Sequence, residues 1–292
     1  MAIGDFHTHS NRSDGLLSPS ALVDLAASRG VRVMALSDHD TLDGLEEARA
    51  AAARHPGFLL IPAVEISCDQ PGTELHMLGL FIDPTNEHLR SELERFRTGR
   101  IARGQRIVAL LEKTGAPISW ERVQELAGEA SIGRPHFAQA LVEAGHVATI
   151  GEAFERFLGR GAPAYVDRET LGPADAIAMI RGAGGLPVFA HPSFTDDFEA
   201  VAEELARLGV FGMEVYYKAY PPALVQQLRL LAERLGLFTL GGSDYHALAR
   251  DDEREPGDIP LPDAVVEALL ARAEELGCTV PQPDVPQPDV AD

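Results

Sequence analysis

The sequence predicts an α/β fold, either a parallel β/α barrel or a doubly wound sheet, interrupted by an all-helical insertion. Three observations carry this. Seven short apolar segments alternate with helical patterns. The stretch from about Gly99 to Tyr165 shows helical patterns only. The 292 residues also suit one barrel of about 250 residues that carries an insertion.

The elements follow in order. Ala2 to Phe6 reads as a strand. Ser18 and Pro19 open a helix to Ser28, with Gly30 just past its end. Val31 to Leu36 is the second strand, and Leu42 to Arg54 a helix that Asp40 or Thr41 would cap. Phe58 to Ser67 and Glu74 to Ile82 are the next two strands. A long helix from Asn86 to Lys113 ends at Gly115-Ala116-Pro117. Shorter helices follow at Ser119 to Ala127, Pro135 to Ala144 and Ile150 to Leu158. Alternation then resumes: helix Pro173–Arg181, strand Leu186–Ala190, helix Phe198–Leu208, strand Val210–Tyr216, helix Pro221–Leu235, strand Leu237–Leu240 and helix Pro262–Leu276. Residues 1–98 and 166–278 are therefore expected to build a discontinuous barrel. Residues 99–165 are expected to form a helical cap over the substrate, and 279–292 a Pro-rich, acidic, disordered tail with Pro-Gln-Pro-Asp-Val twice.

Composition narrows the function. The chain is 45% hydrophobic, which excludes disorder for most of its length. No apolar run reaches the roughly 18 residues of a membrane span, and Met1 to Asp5 has no basic leader. Cys68 and Cys278 are the only cysteines, which excludes a disulfide framework and suits a reducing cytoplasm. A net charge of −20 disfavours long nucleic acid. A small anion would need local arginine or metal to overcome that field. No assembly motif occurs, so a monomer is the default.

Histidines and carboxylates gather where strands end. These are His7, His9 and Asp14 after the first strand, Asp38, His39 and Asp40 after the second, and Glu65 and His76 on the third and fourth. His191 follows the fifth and Asp244 and His246 the seventh. In a β/α barrel all these ends face one rim. His-x-His on a strand puts both rings on one face, as does Asp244-x-His246. Imidazole with carboxylate suits first-row divalent metals. The nine candidates His7, His9, Asp14, His39, Glu65, His76, His191, Asp244 and His246 exceed one ion's needs, so two or three ions with a bridging carboxylate are expected. His55, His88 and His146 read as surface residues.

These motifs (His7-Thr8-His9-Ser10, Ser13-Asp14-Gly15, Ser37-Asp38-His39-Asp40, Glu65, His76, Ala190-His191-Pro192 and Gly242-Ser243-Asp244-Tyr245-His246) together resemble the PHP family. That is the polymerase-and-histidinol-phosphatase group of amidohydrolase-like barrels. The resemblance implies a distorted seven-stranded β/α barrel. It also implies one ion on His7, His9, Glu65 and Asp244, a second on Asp14, His39 and His246, and a third on Glu65, His76 and His191. Histidinol phosphatases of the family tend to carry histidine where Asp14 stands. An oxygen donor there favours manganese, or iron, over zinc. A water activated between the ions would attack phosphorus.

Ser131-Ile132-Gly133-Arg134-Pro135-His136 opens a helix whose N-terminus, with Arg134 beside it, suits an anion. Gly-Arg-Pro-His, then Gly159-Arg160-Gly161 and Tyr165-Val166, is similar to one free-standing PHP branch. That branch comprises 3′,5′-nucleoside bisphosphate phosphatases and 5′-to-3′ exonucleases on short RNA. The similarity implies phosphate contacts from Arg134 and His136; Arg160 and Lys218 are further substrate-binding candidates. Asp244, His191 and His136 are the catalytic candidates. The expected substrate is a small phosphorylated nucleotide, or else a short oligoribonucleotide. The rivals are another phosphomonoester, such as histidinol phosphate, and a non-catalytic PHP scaffold.

Overall fold

The computed structural model describes residues 1–70, 73–128, 132–166, 171–218, 220–248 and 253–282. Ser131 and residues 283–292 of the expected tail lie outside these. The chain divides into two compact units, Met1–Ser91 with Leu171–Asp292, and Glu92–Thr170.

The first unit holds one sheet of seven strands: β1 Gly4–Asp5, β2 Val33–Leu36, β3 Leu59–Gln70, β4 Thr73–Leu80, β5 Leu186–Phe189, β6 Gly212–Tyr217 and β7 Phe238–Gly242. Their spatial order equals their chain order. A doubly wound sheet reverses order at a switch point, so that alternative is overturned. The sheet nearly closes on itself. Phe6 N–H donates to Gly241 O at 3.3 Å, and Thr8 bridges Tyr245 beyond the strand ends. The fold is thus a distorted β/α barrel of seven strands.

One departure from the parallel expectation matters. β4 runs antiparallel to both β3 and β5. β3 and β4 form a long hairpin, so β3 extends to Gln70, well past the expected end at Ser67. Glu65 therefore lies inside a strand of 12 residues and not at its end. His76 lies near the start of β4. Reversal of β4 still brings it to the same rim.

Helices α1 (Pro19–Ser28), α2 (Leu45–Ala52), α7 (Pro173–Gly182), α8 (Phe198–Leu208), α9 (Pro222–Leu235) and α10 (Asp263–Glu275) belong to the same unit. Ser18 caps α1 as expected, its hydroxyl accepting from Ala21 N–H at 3.2 Å. α2 starts at Leu45 with Gly44 before it and no side-chain cap. Asp40 instead turns to β3, where it accepts from Ser67 N–H, and Thr41 accepts from Asp43 N–H. The core joins the sheet interior (Phe6, Ile61, Leu78, Val188, Leu240) to apolar residues of α10 such as Leu269.

The second unit is helical: most of α3 (Glu87–Lys113), α4 (Trp120–Ala127), α5 (Arg134–Glu143) and α6 (Ile150–Ala153), which continues into a π-turn at Phe154–Leu158. Its own core centres on Leu111, Val123, Phe137, Leu141 and Phe157. Ser119 and Thr149 cap α4 and α6. The division from the barrel falls inside α3, after Ser91.

Closure leaves no room at Gly242. A Cβ there would lie 2.3 Å from His7 Cβ and 2.5 Å from His7 N. Backbone atoms cannot yield as a side chain can, so Gly242→Ala should cost about 3 kcal/mol, the upper end for overpacking. Gly182→Ala, at a site with open space around it, should stay within about 0.5 kcal/mol. Urea unfolding of the two variants tests this; equal midpoints would contradict it.

Candidate metal centre

Beyond their ends β1 and β7 continue to pair. Asp244 N–H donates to His7 O at 2.8 Å, and His9 N–H to Tyr245 O at 3.0 Å. This register sets His7 and His9 beside Asp244 and His246. His39 follows β2 and bridges Glu65. Ser67 pairs with His76 across the hairpin, two residues beyond Glu65 on the same face. Beside the cluster Asp40 (φ 50), His191 (φ 30), Lys218 (φ 36) and Asp244 (φ 48) are left-handed. Such conformations cost about 1–3 kcal/mol each and persist where the surroundings enforce them.

Glu65 is the hub. It is fully buried. Its Oε2 lies 3.1 Å from His7 Nε2, 3.2 Å from His9 Nε2 and 3.1 Å from His39 Nδ1. Its Oε1 lies 2.8 Å from His76 Nδ1 and 3.0 Å from His191 Nε2. Asp244 Oδ1 lies 3.3 Å from His7 Nε2 and 3.1 Å from His9 Nε2. Its Oδ2 accepts from the Tyr217 hydroxyl at 2.5 Å and faces Lys218 Nζ at 2.9 Å. Asp14 sits on the open side, its side chain 46% exposed, with His246 Nε2 at 3.1 Å and His39 Nε2 at 3.8 Å.

All nine candidate ligands named from the sequence thus lie in one cluster. Three overlapping sets could each hold an ion, with ligand atoms mutually within 4.8 Å: His7, His9, Glu65 and Asp244; His9, Asp14, His39 and His246; and His39, Glu65 and His76. The second set gains His9 over the expected grouping. The third has His39 where His191 was expected.

The electrostatics fit divalent cations. Burial opposes a charge on His9, but Asp244 and Glu65 outweigh it and push its pKa up to about 10. His7 is raised for the same kind of reason, with Glu214, Glu65 and Asp244 against burial. Burial keeps His39 neutral, down to about 3, despite Glu65 and Asp14. Against burial, the surrounding imidazoles hold Glu65 and Asp244 well below the usual carboxylate range. In the metal-free protein, then, imidazolium charge balances the carboxylates. Meanwhile the buried Nδ1 of His39 makes no hydrogen bond although it faces Glu65 Oε2 at 3.1 Å. A lone pair of a neutral ring aimed at a carboxylate hub needs a cation, and this donor set suits first-row divalent metals.

Of the substrate-binding candidates, Lys218 lies beside Asp244. Arg134, His136 and Arg160 belong to the helical unit. Arg134 begins α5, its guanidinium carbon 5.9 Å from the ring centres of Phe154 and Tyr165. His136 Nδ1 accepts from Gly133 N–H at 3.0 Å, which leaves the ring proton on Nε2. Arg160 is exposed in a turn after the π-turn. A cleft of about 500 Å³ in this unit is lined by Arg106, Lys113 and Tyr165 among others.

Asp38 accepts from Ser10 N–H, Ser10 Oγ and Ser13 Oγ, each at 2.7 Å, and Ser13 Oγ lies 3.5 Å from His9 Nδ1. His55 and His146 are tied to Asp24 and to Pro117 O. Sequence reasoning missed Glu214 and Tyr217. Both sit on β6, and a carboxylate inside the apolar run Gly-Met-Glu-Val-Tyr-Tyr was the available signal.

A PHP domain matches residues 5–127. A 3′,5′-nucleoside bisphosphate phosphatase of Chromobacterium violaceum is 36% identical over 252 residues, 85% of this chain and 88% of that protein. The chain belongs to the PHP family. A 5′-3′ exoribonuclease of Haemophilus influenzae is 37% identical over 83% of this chain and 89% of its own length. Among solved structures, one described as a metal-dependent phosphoesterase from Bifidobacterium adolescentis superposes with a TM-score of 0.78 at 31% identity, covering 92% of this chain and 96% of that one. The present PHP protein is accordingly a metal-dependent phosphoesterase, an enzyme of the phosphoric ester hydrolase class. Among its described residues no helix is long and apolar enough to cross a membrane.

Metal uptake should be linked to protons. His9 keeps its proton up to about pH 10 without metal, and ligation needs the neutral ring. Binding near neutral pH should therefore release at least one proton, and affinity should rise with pH by up to about tenfold per unit and proton. Calorimetric titration with Mn²⁺ in two buffers of different ionisation enthalpy measures the release. None at all would contradict the assignment of His9.

Proposed function

We propose that this PHP enzyme removes the 3′-phosphate from nucleoside 3′,5′-bisphosphates, with two or three manganese ions in the cluster around Glu65. The observation that carries the reading is the convergence of eight side chains in three ligand sets, with His191 beside them on Glu65 and Asp14 as an oxygen donor on the open side. The match to a bisphosphate phosphatase over 88% of its length supports the substrate class. Iron or zinc are the next candidates for the same donors. We infer a cytoplasmic enzyme, since neither Cys68 nor Cys278 is in a disulfide.

Divalent ions held there supply Lewis acidity toward the phosphate and acidify a bound water. The chain's own groups do the rest. His7, His9, Glu65 and Asp244 form the most buried ligand set, and His9, Asp14, His39 and His246 the most open one. Lys218 adds a positive charge at Asp244 Oδ2, where it can offset phosphate charge. Tyr217 holds the same oxygen, which leaves Asp244 Oδ1 for the ligand cluster. Arg134 and the Nε2–H of His136 offer donors for the phosphate that is not cleaved, and Arg160 a further cation. His136 is also our candidate for the proton donor to the leaving oxygen.

A second reading has support from the exoribonuclease relative: release of mononucleotides from 5′-phosphorylated short RNA. The chemistry is the same and only the leaving group differs. A chain of net charge −20 favours the shorter substrate.

Manganese-loaded protein should release phosphate from adenosine 3′,5′-bisphosphate and leave AMP. Asp244→Asn should lower kcat/KM by at least roughly 100-fold, and Arg134→Ala should raise KM more than it lowers kcat. Preference for a 5′-phosphorylated oligoribonucleotide would move the assignment to the second reading. Inactivity of folded, metal-loaded protein on both would overturn the proposal.

A further inference from the structure

Glu214 lies on β6, fully buried, and belongs to none of the three ligand sets. Both of its oxygens stand 3.1 Å from His7 Nδ1. Its Oε2 also accepts the backbone N–H of His191 at 2.7 Å. One interior carboxylate therefore ties together two residues of the cluster from different strands. For His7, Nδ1 is engaged by Glu214 while Nε2 faces Glu65 Oε2 and Asp244 Oδ1. For His191, the bond anchors an amide whose residue is left-handed, at φ 30.

The strand is built to do this. β6 pairs Glu214 with Leu240 but Tyr216 with Gly241, a register shift of one residue. Such a bulge reverses the alternation of side chains beyond it and is frequent beside active sites. Here it lets Glu214 and Tyr217, three apart, face the same centre: Glu214 reaches His7 and Tyr217 reaches Asp244. Without the shift, alternation would send them to opposite faces. Gly241 accommodates the bulge, since a Cβ there would lie 1.7 Å from Tyr216 O.

We propose that Glu214 is a positioning residue of the metal centre. It keeps the His7 proton on Nδ1, so that Nε2 is presented to the ion, and it clamps the His191 backbone. The proposal rests on the reading of the cluster as a metal site. A carboxylate behind a ligating imidazole fixes its tautomer and raises its basicity. Glu214 has that position, on the Nδ1 side of His7 and outside the three ligand sets.

Glu214→Gln tests it with almost no change of shape. The amide oxygen can still accept from His191 N–H. The amide NH₂ then faces His7 Nδ1 and favours Nδ1 as acceptor, which moves the ring proton to Nε2 and blocks ligation. Metal affinity, measured by chelator competition, should fall roughly 10- to 100-fold. Glu214→Asp, which keeps a carboxylate, should recover part of it. In zinc-loaded protein, ¹⁵N histidine spectra should show the His7 proton on Nδ1 in the wild type and lose that signal in Glu214→Gln. Affinity and spectrum unchanged in folded Glu214→Gln would overturn the proposal. Failure of the wild type itself to bind metal would overturn the reading beneath it, and the two results cannot be confused.

Discussion

A buried carboxylate with five imidazoles around it is the constraint on which this molecule depends. Glu65 sits at zero exposure inside β3, and His7, His9, His39, His76 and His191 all place a nitrogen within 3.2 Å of it. An ionised carboxylate in a protein interior is tolerable only with charge or hydrogen bonds directly upon it. Those five rings come from β1, β2, β4 and β5 or their extensions. Sheet closure, the β3–β4 hairpin and the strand order all serve to deliver them to one point. Reversal of β4 is part of the same solution, because only the hairpin register sets His76 beside Glu65.

Around the hub, support falls into an outer layer of fixed polar contacts. Asp38 holds Ser10 and Ser13 behind His9, Glu214 stands behind His7, and Tyr217 and Lys218 take the far oxygen of Asp244. Non-glycine residues are left-handed at His191, Lys218 and Asp244, where strands meet the site. The strain is local and the compensation is local too, as the bond from His191 N–H to Glu214 illustrates. A rigid ligand set of this kind costs stability and gains preorganisation for the ions and for charge developing on phosphate.

Much of this was legible in the sequence. Imidazole and carboxylate at strand ends are conspicuous against apolar segments, and the His-x-His and Asp-x-His spacings fix which side chains share a face. All nine ligand candidates could be named on those grounds, although Glu65 lies within β3 and not at its end, and they lie together. Helix starts marked by a serine or threonine cap, at Ser18 and Ser119, could be read for the same reason. Direction of a strand could not. Nothing in Thr73–Leu80 states that it runs antiparallel, because alternation looks the same both ways. α2 misled through Asp40, a good capping residue in a place where β3 offers it Ser67 N–H instead. Glu214 escaped although a carboxylate in an apolar run was there to be seen, because it does not stand at a strand end, and Tyr217 escaped because a one-residue bulge after Glu214 shifts its parity.

The central claim is that the Glu65 cluster is a multinuclear metal centre. Anomalous diffraction at the manganese edge, from crystals of manganese-loaded protein, tests it most directly. The account predicts two or more peaks within ligand distance of these side chains, one among His7, His9, Glu65 and Asp244 and another beside Asp14 and His246. Crystals of active, manganese-loaded protein with no anomalous peak in the cluster would contradict it.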